Sequence, residues 1–204
     1  MADITINDCY QISIAENQSD SFGPYFVEVD ASSEYTVIQG NVVESAGNGG
    51  EQCIRIYGNY TICDSNVVLG FNNGGAGIYV EADSVNVENN HMYGRTEHGI
   101  QLTDASRCLV SGNLVDSPGY GSTATYDGIF LSGDSDENMI IGNKIIPNTD
   151  SGSTRYGINI SAATCDDNVV ADNMLVPSAS FGTGSYNDAG TGTITSRDGN
   201  GQFT

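Results

Sequence analysis

Residues 99–115 read GIQLTDASRCLVSGNLV, and this stretch decides the fold. Ile100 and Leu102 are apolar with one residue between them. Val110 is a second apolar position, Asn113 follows three residues later, and Val115 two after that. Working outward, the pattern recurs on Asn17, Asn41, Asn66, Asn90, Asn143 and Asn173, the steps along the chain being 24, 25, 24, 23, 30 and 30 residues. Three positions before the asparagines stand Ile14, Ile38, Cys63, Val87, Val110, Ile140 and Val170. Two positions after them stand Ser19, Val43, Val68, Met92, Val115, Ile145 and Leu175. The upstream apolar pairs are Ile4/Ile6, Val27/Val29, Ile54/Ile56, Ile78/Val80, Ile100/Leu102, Ile129/Leu131 and Ile158/Ile160. Alternation with period 2 is a strand signal, whereas a helical repeat places its apolar residues at i, i+3 and i+4. A repeating unit that buries one face only against its neighbours is one rung of a solenoid.

Three short strands per rung, with Gly, Asn, Asp and Ser at the corners, predict an all-β parallel β-helix of about seven rungs. Over residues 3–176 the chain resembles the pectate-lyase-like superfamily of right-handed β-helix proteins, whose repeats read roughly Gly-Ile-x-Leu, then x-Ile-x-x-Asn-x-Ile. That superfamily includes lyases, glycosidases, epimerases, viral spikes and binding proteins, so the resemblance implies a fold and leaves the function open. The asparagine column is expected to form a ladder. Asn tolerates the left-handed backbone of a tight corner, and side chains stacked about 4.8 Å apart hydrogen-bond along the axis. From Pro177 onward the columns vanish into Gly, Ser, Thr, Asn and Asp. The expected organisation is therefore a β-helix over 1–176 and a C-terminal tail or cap over 177–204.

The chain carries 26 acidic residues against six basic ones, for a net charge of −20. Such a surface repels nucleic acid and anionic membranes, and no apolar run is long enough to insert into a bilayer. A single lysine, Lys144, on a chain of low hydropathy reads as adaptation to molar salt, where the Debye length falls to about 3 Å. An ordinary acidic protein is the other reading. On the first, stability rises from low to molar salt. The five cysteines form no CxxC pair, and Cys63 fills an interior column otherwise held by Ile and Val, so a disulfide framework is not expected. The start, Met-Ala-Asp-Ile-Thr-Ile, shows no basic stretch or apolar run of an export signal. This favours a protein assembled inside a cell, as virion proteins are, or a piece of a longer one.

Rung length varies on one edge only, through the segments Asp116–Asp127 and Pro147–Tyr156. Loops that lengthen on one face of a repeat protein mark its binding face, or they are tolerated insertions. Beside that edge lie Glu97-His98, Tyr126-Asp127 and Arg155-Tyr156, one pair from each of three successive rungs, with Tyr120 on the loop. Thr-Tyr-Asp127-Gly-Ile resembles the Asp-Gly-Ile stretch of polygalacturonases, which implies a catalytic aspartate. The Gly-His-Gly and Arg-Ile-Lys elements of that family are absent, and Arg155-Tyr156 stands where its paired aspartates would fall. On chemistry alone, Glu97 and Asp127 can form an acid–base pair for glycoside hydrolysis. Alternatively His98 or Tyr126 can abstract a sugar proton while Arg155 neutralises a uronate carboxylate. The outward column of the first strand contains Tyr79, Gln101, Phe130 and Asn159, which suits stacking and hydrogen bonding to a sugar chain. No metal site is expected, since His91 and His98 lack a third ligand and the acidic pairs read as solvated charges. No cofactor is expected either.

The leading expectation is a non-enzymatic virion surface protein, a capsid or tail spike, that binds host-surface glycans at high salt. It would assemble in the host cytoplasm, as a homo-oligomer or with other virion proteins. The alternative is a secreted polysaccharide lyase or glycoside hydrolase, or the C-terminal part of one.

Overall fold

The computed structural model describes residues 4–19, 25–44, 52–70, 75–149, 152–176 and 181–195. Among them every regular element is a strand, and no helix long and apolar enough to cross a membrane occurs. The chain coils through three parallel sheets. The first holds eight strands, from Ile4–Ile6 through Ile100–Thr103 and Ile129–Ser132 to Gly184–Asp188. The second also holds eight, from Ser13–Ala15 to Ile194–Thr195, and the third seven, from Gln18–Ser19 to Met174–Leu175.

The pairing registers reproduce the sequence columns. Ile78, Ile100, Ile129 and Ile158 are Cα partners in the first sheet. Val87, Val110, Ile140 and Val170 align in the second, and Met92, Val115, Ile145 and Leu175 in the third. The central residue of most second- and third-sheet strands is buried and its two neighbours face outward. A one-residue slip would turn every such side chain inside out, so burial fixes the register.

The asparagine ladder closes the corner between the second and third sheets. Asn113 donates from Nδ2 to Asn143 Oδ1 (2.9 Å) and to Val87 O (2.8 Å), while its own Oδ1 accepts from Asn90 N (2.9 Å) and Nδ2 (3.1 Å). The ladder members from Asn41 to Asn173 are buried, and Asn17 at its end is exposed. One detail differs from expectation. The left-handed residue of the corner is the one before the asparagine: Glu16, Gly40, Ser65, Asn89, Gly112, Gly142 and Asp172 all have positive φ. The asparagine itself keeps ordinary φ because its amide must point inward along the axis, and the preceding residue takes the turn. A shorter ladder, Asn138 over Asn168, repeats this bonding before the second sheet.

Residues 181–195 continue the coil. Ile158 pairs with Tyr186, and Val169 with Ile194, so this segment lies on the edge of the seventh rung as a partial eighth. Residues 177–180 and 196–204 of the expected tail lie outside the described residues. All five cysteines are free. Burial pushes the Cys63 thiol up to about 12 and Cys108 up to about 11, so both act as small interior hydrophobes.

Candidate functional site

The two long loops meet beside the first sheet. Ser122–Thr123 and Gly152–Ser153 pair as a two-stranded parallel sheet that walls one side of the late rungs. Thr154 Oγ1 accepts from Asn148 N (2.8 Å) and donates to Pro118 O (2.7 Å), which pins the loops together. The loop backbone is also tied to the previous rung, Tyr120 N donating to Arg95 O (2.8 Å) and Gly119 N to Glu97 O (2.9 Å).

At the foot of this wall Asp127 is completely buried. Arg155 donates to it in fork geometry, Nε to Oδ1 (2.9 Å) and Nη2 to Oδ2 (2.6 Å). Tyr156 N donates to Oδ1 (3.1 Å) and Asn159 Nδ2 to Oδ2 (2.9 Å). Asn159 in turn accepts from Asn187 Nδ2 (2.8 Å), which explains why this member of the outward column is buried. Both carboxylate oxygens are thus occupied by donors in a position closed to solvent. In this arrangement Asp127 anchors Arg155, and the structure brings Glu97 and Asp127, the acid–base pair expected from sequence, to the same edge of successive rungs.

His98 is constrained as firmly. Asp127 N donates to its Nδ1 (3.0 Å), so the neutral ring carries its proton on Nε2. Its pKa is pushed down to about 4, chiefly by burial; the Asp127 charge opposes this and the Arg155 charge adds to it. Nδ1 also lies 3.6 Å from Asp127 Oδ2, but a neutral imidazole makes no ion pair there. The ring stacks on Phe130 (4.2 Å, 5° between planes) and meets Tyr126 edge-on at 5.2 Å. In this state His98 Nδ1 is occupied as an acceptor and Nε2–H is the atom left to donate.

A pH dependence follows. Between the ordinary 6.5 and about 4 the unfolded chain binds a proton on His98 that the folded chain does not. Stability from this residue is present above that window and lost as pH falls through it, by about 3 kcal/mol in full. Denaturant unfolding of wild type and His98→Gln on both sides of the window should show the steeper acid loss in wild type. Parallel curves would refute it.

The groups that face solvent around the buried pair are Arg155, about a third exposed, with Phe130, Tyr126, Tyr156, Gln101 and Glu97. The Arg155 guanidinium lies 5.9 Å from the Phe130 ring and 5.6 Å from that of Tyr156. Burial raises the Glu97 carboxyl, opposed by Arg95; burial also raises the Tyr126 phenol, helped by the Glu97 charge. Tyr79 is not part of this group. It is the direct strand partner of Gln101, one rung before it and two before Phe130, and it turns the other way, its hydroxyl on Glu81 Oε2 (2.7 Å) and its ring edge-on to Tyr57 at 6.0 Å. There Arg55 bonds Glu28 (3.1 Å) beside the Tyr25 and Tyr57 rings, an aromatic–cation cluster that the sequence reading missed. Tyr25, two residues before the strand Val27–Val29, and Tyr57, directly after Ile54–Ile56, sit at the two ends of neighbouring strands, and with Glu28 opposite Arg55 they are the signal that would have found it.

Stacked three-strand rungs and an internal asparagine ladder define a parallel β-helix protein, with a polar–aromatic patch under long loops on an outer sheet face. The chain belongs to the NosD family, described as periplasmic copper-binding protein, whose profile matches residues 21–195. Its fold is similar to that of the Azotobacter vinelandii mannuronan C-5 epimerase AlgE6 A-module, with a TM-score of 0.69 at 15% identity. That similarity covers 97% of this chain and 55% of the epimerase module. At that identity the likeness is one of fold. No curated protein sequence matches the chain.

Proposed function

We propose that the chain binds a glycan laid along the outer face of its first sheet, at the patch of Arg155, Phe130, Tyr126, Tyr156 and Gln101. One observation carries this reading: the buried Asp127 holds Arg155 between the Phe130 and Tyr156 rings beneath a walled edge. The rings offer faces for stacking, and His98 Nε2–H, Arg155 and Gln101 supply hydrogen bonds to hydroxyls. Because Asp127 offsets the arginine charge and the whole chain carries −20, neutral sugars suit the patch better than polyuronates. Host attachment from a virion surface in a high-salt habitat is the setting proposed with it, supported by the charge balance; flanking capsid or tail genes would strengthen that setting.

The test uses an array of neutral and uronate oligosaccharides in molar salt. Tyr126→Ala with Tyr156→Ala should weaken retention about tenfold or more while leaving the melting curve in place. An array on which wild type binds nothing, or binds no better than the double variant, would overturn the reading.

A second reading rests on Glu97 and Tyr126, a carboxylate and a phenol from successive rungs that are both partly open to solvent at the patch, with burial raising the Glu97 carboxyl. Under it the patch performs proton transfer on a polysaccharide, as a lyase, epimerase or hydrolase. Incubation with mannuronan and neutral glycans, followed by NMR of the sugar, tests it. Turnover that Glu97→Gln abolishes would favour it over binding alone. Copper, which the family description names, does not fit the described residues. No three His, Cys, Asp or Glu side chains converge among them. The buried thiols of Cys63 and Cys108 strongly resist forming the thiolates a copper site would use.

A further inference from the structure

Two of the six basic residues of this chain lie along the first sheet, and both are built in the same way. Arg155 bonds the carboxylate of Asp127, one rung back, and lies 5.9 and 5.6 Å from the Phe130 and Tyr156 rings. Arg55 bonds Glu28 (3.1 Å), its strand partner one rung back, and lies 5.1 and 5.8 Å from the Tyr25 and Tyr57 rings. Tyr79, on the next rung, adds a third ring, edge-on to Tyr57 at 6.0 Å. All four residues of this early cluster, Tyr25, Arg55, Tyr57 and Tyr79, are half-buried and so half-open to water. An ion pair at such a position adds little to stability, so the fold alone gains little from the construction.

We propose that the Arg55 cluster is a second sugar subsite, and that the outer face of the first sheet binds a neutral oligosaccharide spanning both clusters. The proposal rests on the glycan reading of the Arg155 patch and extends it to the early rungs. Spacing sets the length of the ligand. Arg55, Tyr79, Gln101 and Phe130 are successive Cα partners, so the two clusters stand three rungs, or about 14 Å, apart along the axis. That span exceeds a single sugar ring and suits a short oligosaccharide laid parallel to the axis. The rungs between are polar and uncharged where they face it: Gln101 Nε2 donates to Thr103 Oγ1 (3.2 Å), which lies 3.1 Å from Ser132 Oγ. Amide and hydroxyl groups of this kind exchange hydrogen bonds with sugar hydroxyls.

Charge selects the class of sugar. Among the described residues the carboxylates along this lane are Glu28 on Arg55, Glu81 accepting from the Tyr79 hydroxyl (2.7 Å), Asp30 accepting from Ser32 Oγ (2.6 Å) and, at the late end, Glu97. With Asp127 they outnumber the two arginines, which repels a polyuronate, while carboxylates and tyrosine rings suit the hydroxyls and apolar faces of neutral sugars. Engaging the late cluster makes contact at the early one intramolecular, so affinity rises with the length of the sugar chain until both clusters are filled.

The test compares the two-sugar and six-sugar members of neutral glucose, mannose and galactose series in molar salt. Wild type should retain a six-sugar member about tenfold or more better than its two-sugar counterpart. Tyr57→Ala with Tyr79→Ala should erase that advantage while leaving the melting curve in place. Tyr79→Ser alone serves if the pair folds poorly, because its side chain is half-open to water. Tyr126→Ala with Tyr156→Ala should weaken retention of both lengths. A wild type that holds both lengths equally, or early-rung variants that keep its length preference, would overturn the second subsite and leave the Arg155 patch standing. A wild type that retains no member of any series would overturn both.

Discussion

Asn113→Ala lowers the unfolding free energy by about 4 to 6 kcal/mol, a large part of what an ordinary domain possesses. The side chain sits mid-ladder and fully out of solvent. Its removal orphans the Asn90 backbone N–H and one Asn90 amide hydrogen, takes a donor from Val87 O and Asn143 Oδ1, and leaves a cavity. Each buried group left unmade costs about 1 to 3 kcal/mol. Asn17→Ala, at the exposed end, loses its amide's bonds to Ala15 O and Asn41 Oδ1, which water replaces, and costs under about 1 kcal/mol. Denaturant unfolding of both variants in molar salt measures the contrast. Equal losses at the two positions would mean that ladder geometry, and not burial, sets the cost.

The ladder was legible in sequence because its members recur in register with the apolar columns that flank them, as Val110 and Val115 flank Asn113. The Asn138–Asn168 ladder was not. It has two members, and its column is occupied in the preceding rungs by Thr36, Thr61, Val85 and Cys108, so no repetition announces it. The strands within 181–195, inside a stretch expected only as a tail or cap, were not legible for a related reason. Strand pairing on an existing edge asks only for backbone, and Tyr186 and Ile194 are too sparse to form a column of their own. The site divides in the same way. Adjacency of Glu97-His98, Tyr126-Asp127 and Arg155-Tyr156 follows from stacking, which the repeat dictates. Roles depend on which partner reaches which atom, and the repeat does not encode that. The saturation of Asp127 requires Asn159, which Asn187 of the partial eighth rung holds in place. The tautomer of His98 depends on one backbone N–H.

Asp127→Ala should therefore cost both the fold and the patch, about 3 to 5 kcal/mol of stability together with glycan retention. The substitution strips Arg155 of its forked partner, and leaves Tyr156 N and Asn159 Nδ2 without an acceptor in a region closed to water. Asp127→Asn keeps the volume but turns one oxygen into a donor, which must face either the guanidinium or the Asn159 amide. It should lose somewhat less, about 2 to 3 kcal/mol. The comparison with Tyr126→Ala separates anchoring from contact. A contact residue loses retention at unchanged stability, whereas an anchor loses the two together, because the guanidinium it no longer holds is the group proposed to meet the sugar. Chemical denaturation and array retention measured on the same three proteins decide between these outcomes. If Asp127→Ala unfolds as wild type does yet abolishes retention, the carboxylate reaches the ligand directly, and the patch must open further than its resting hydrogen bonds allow.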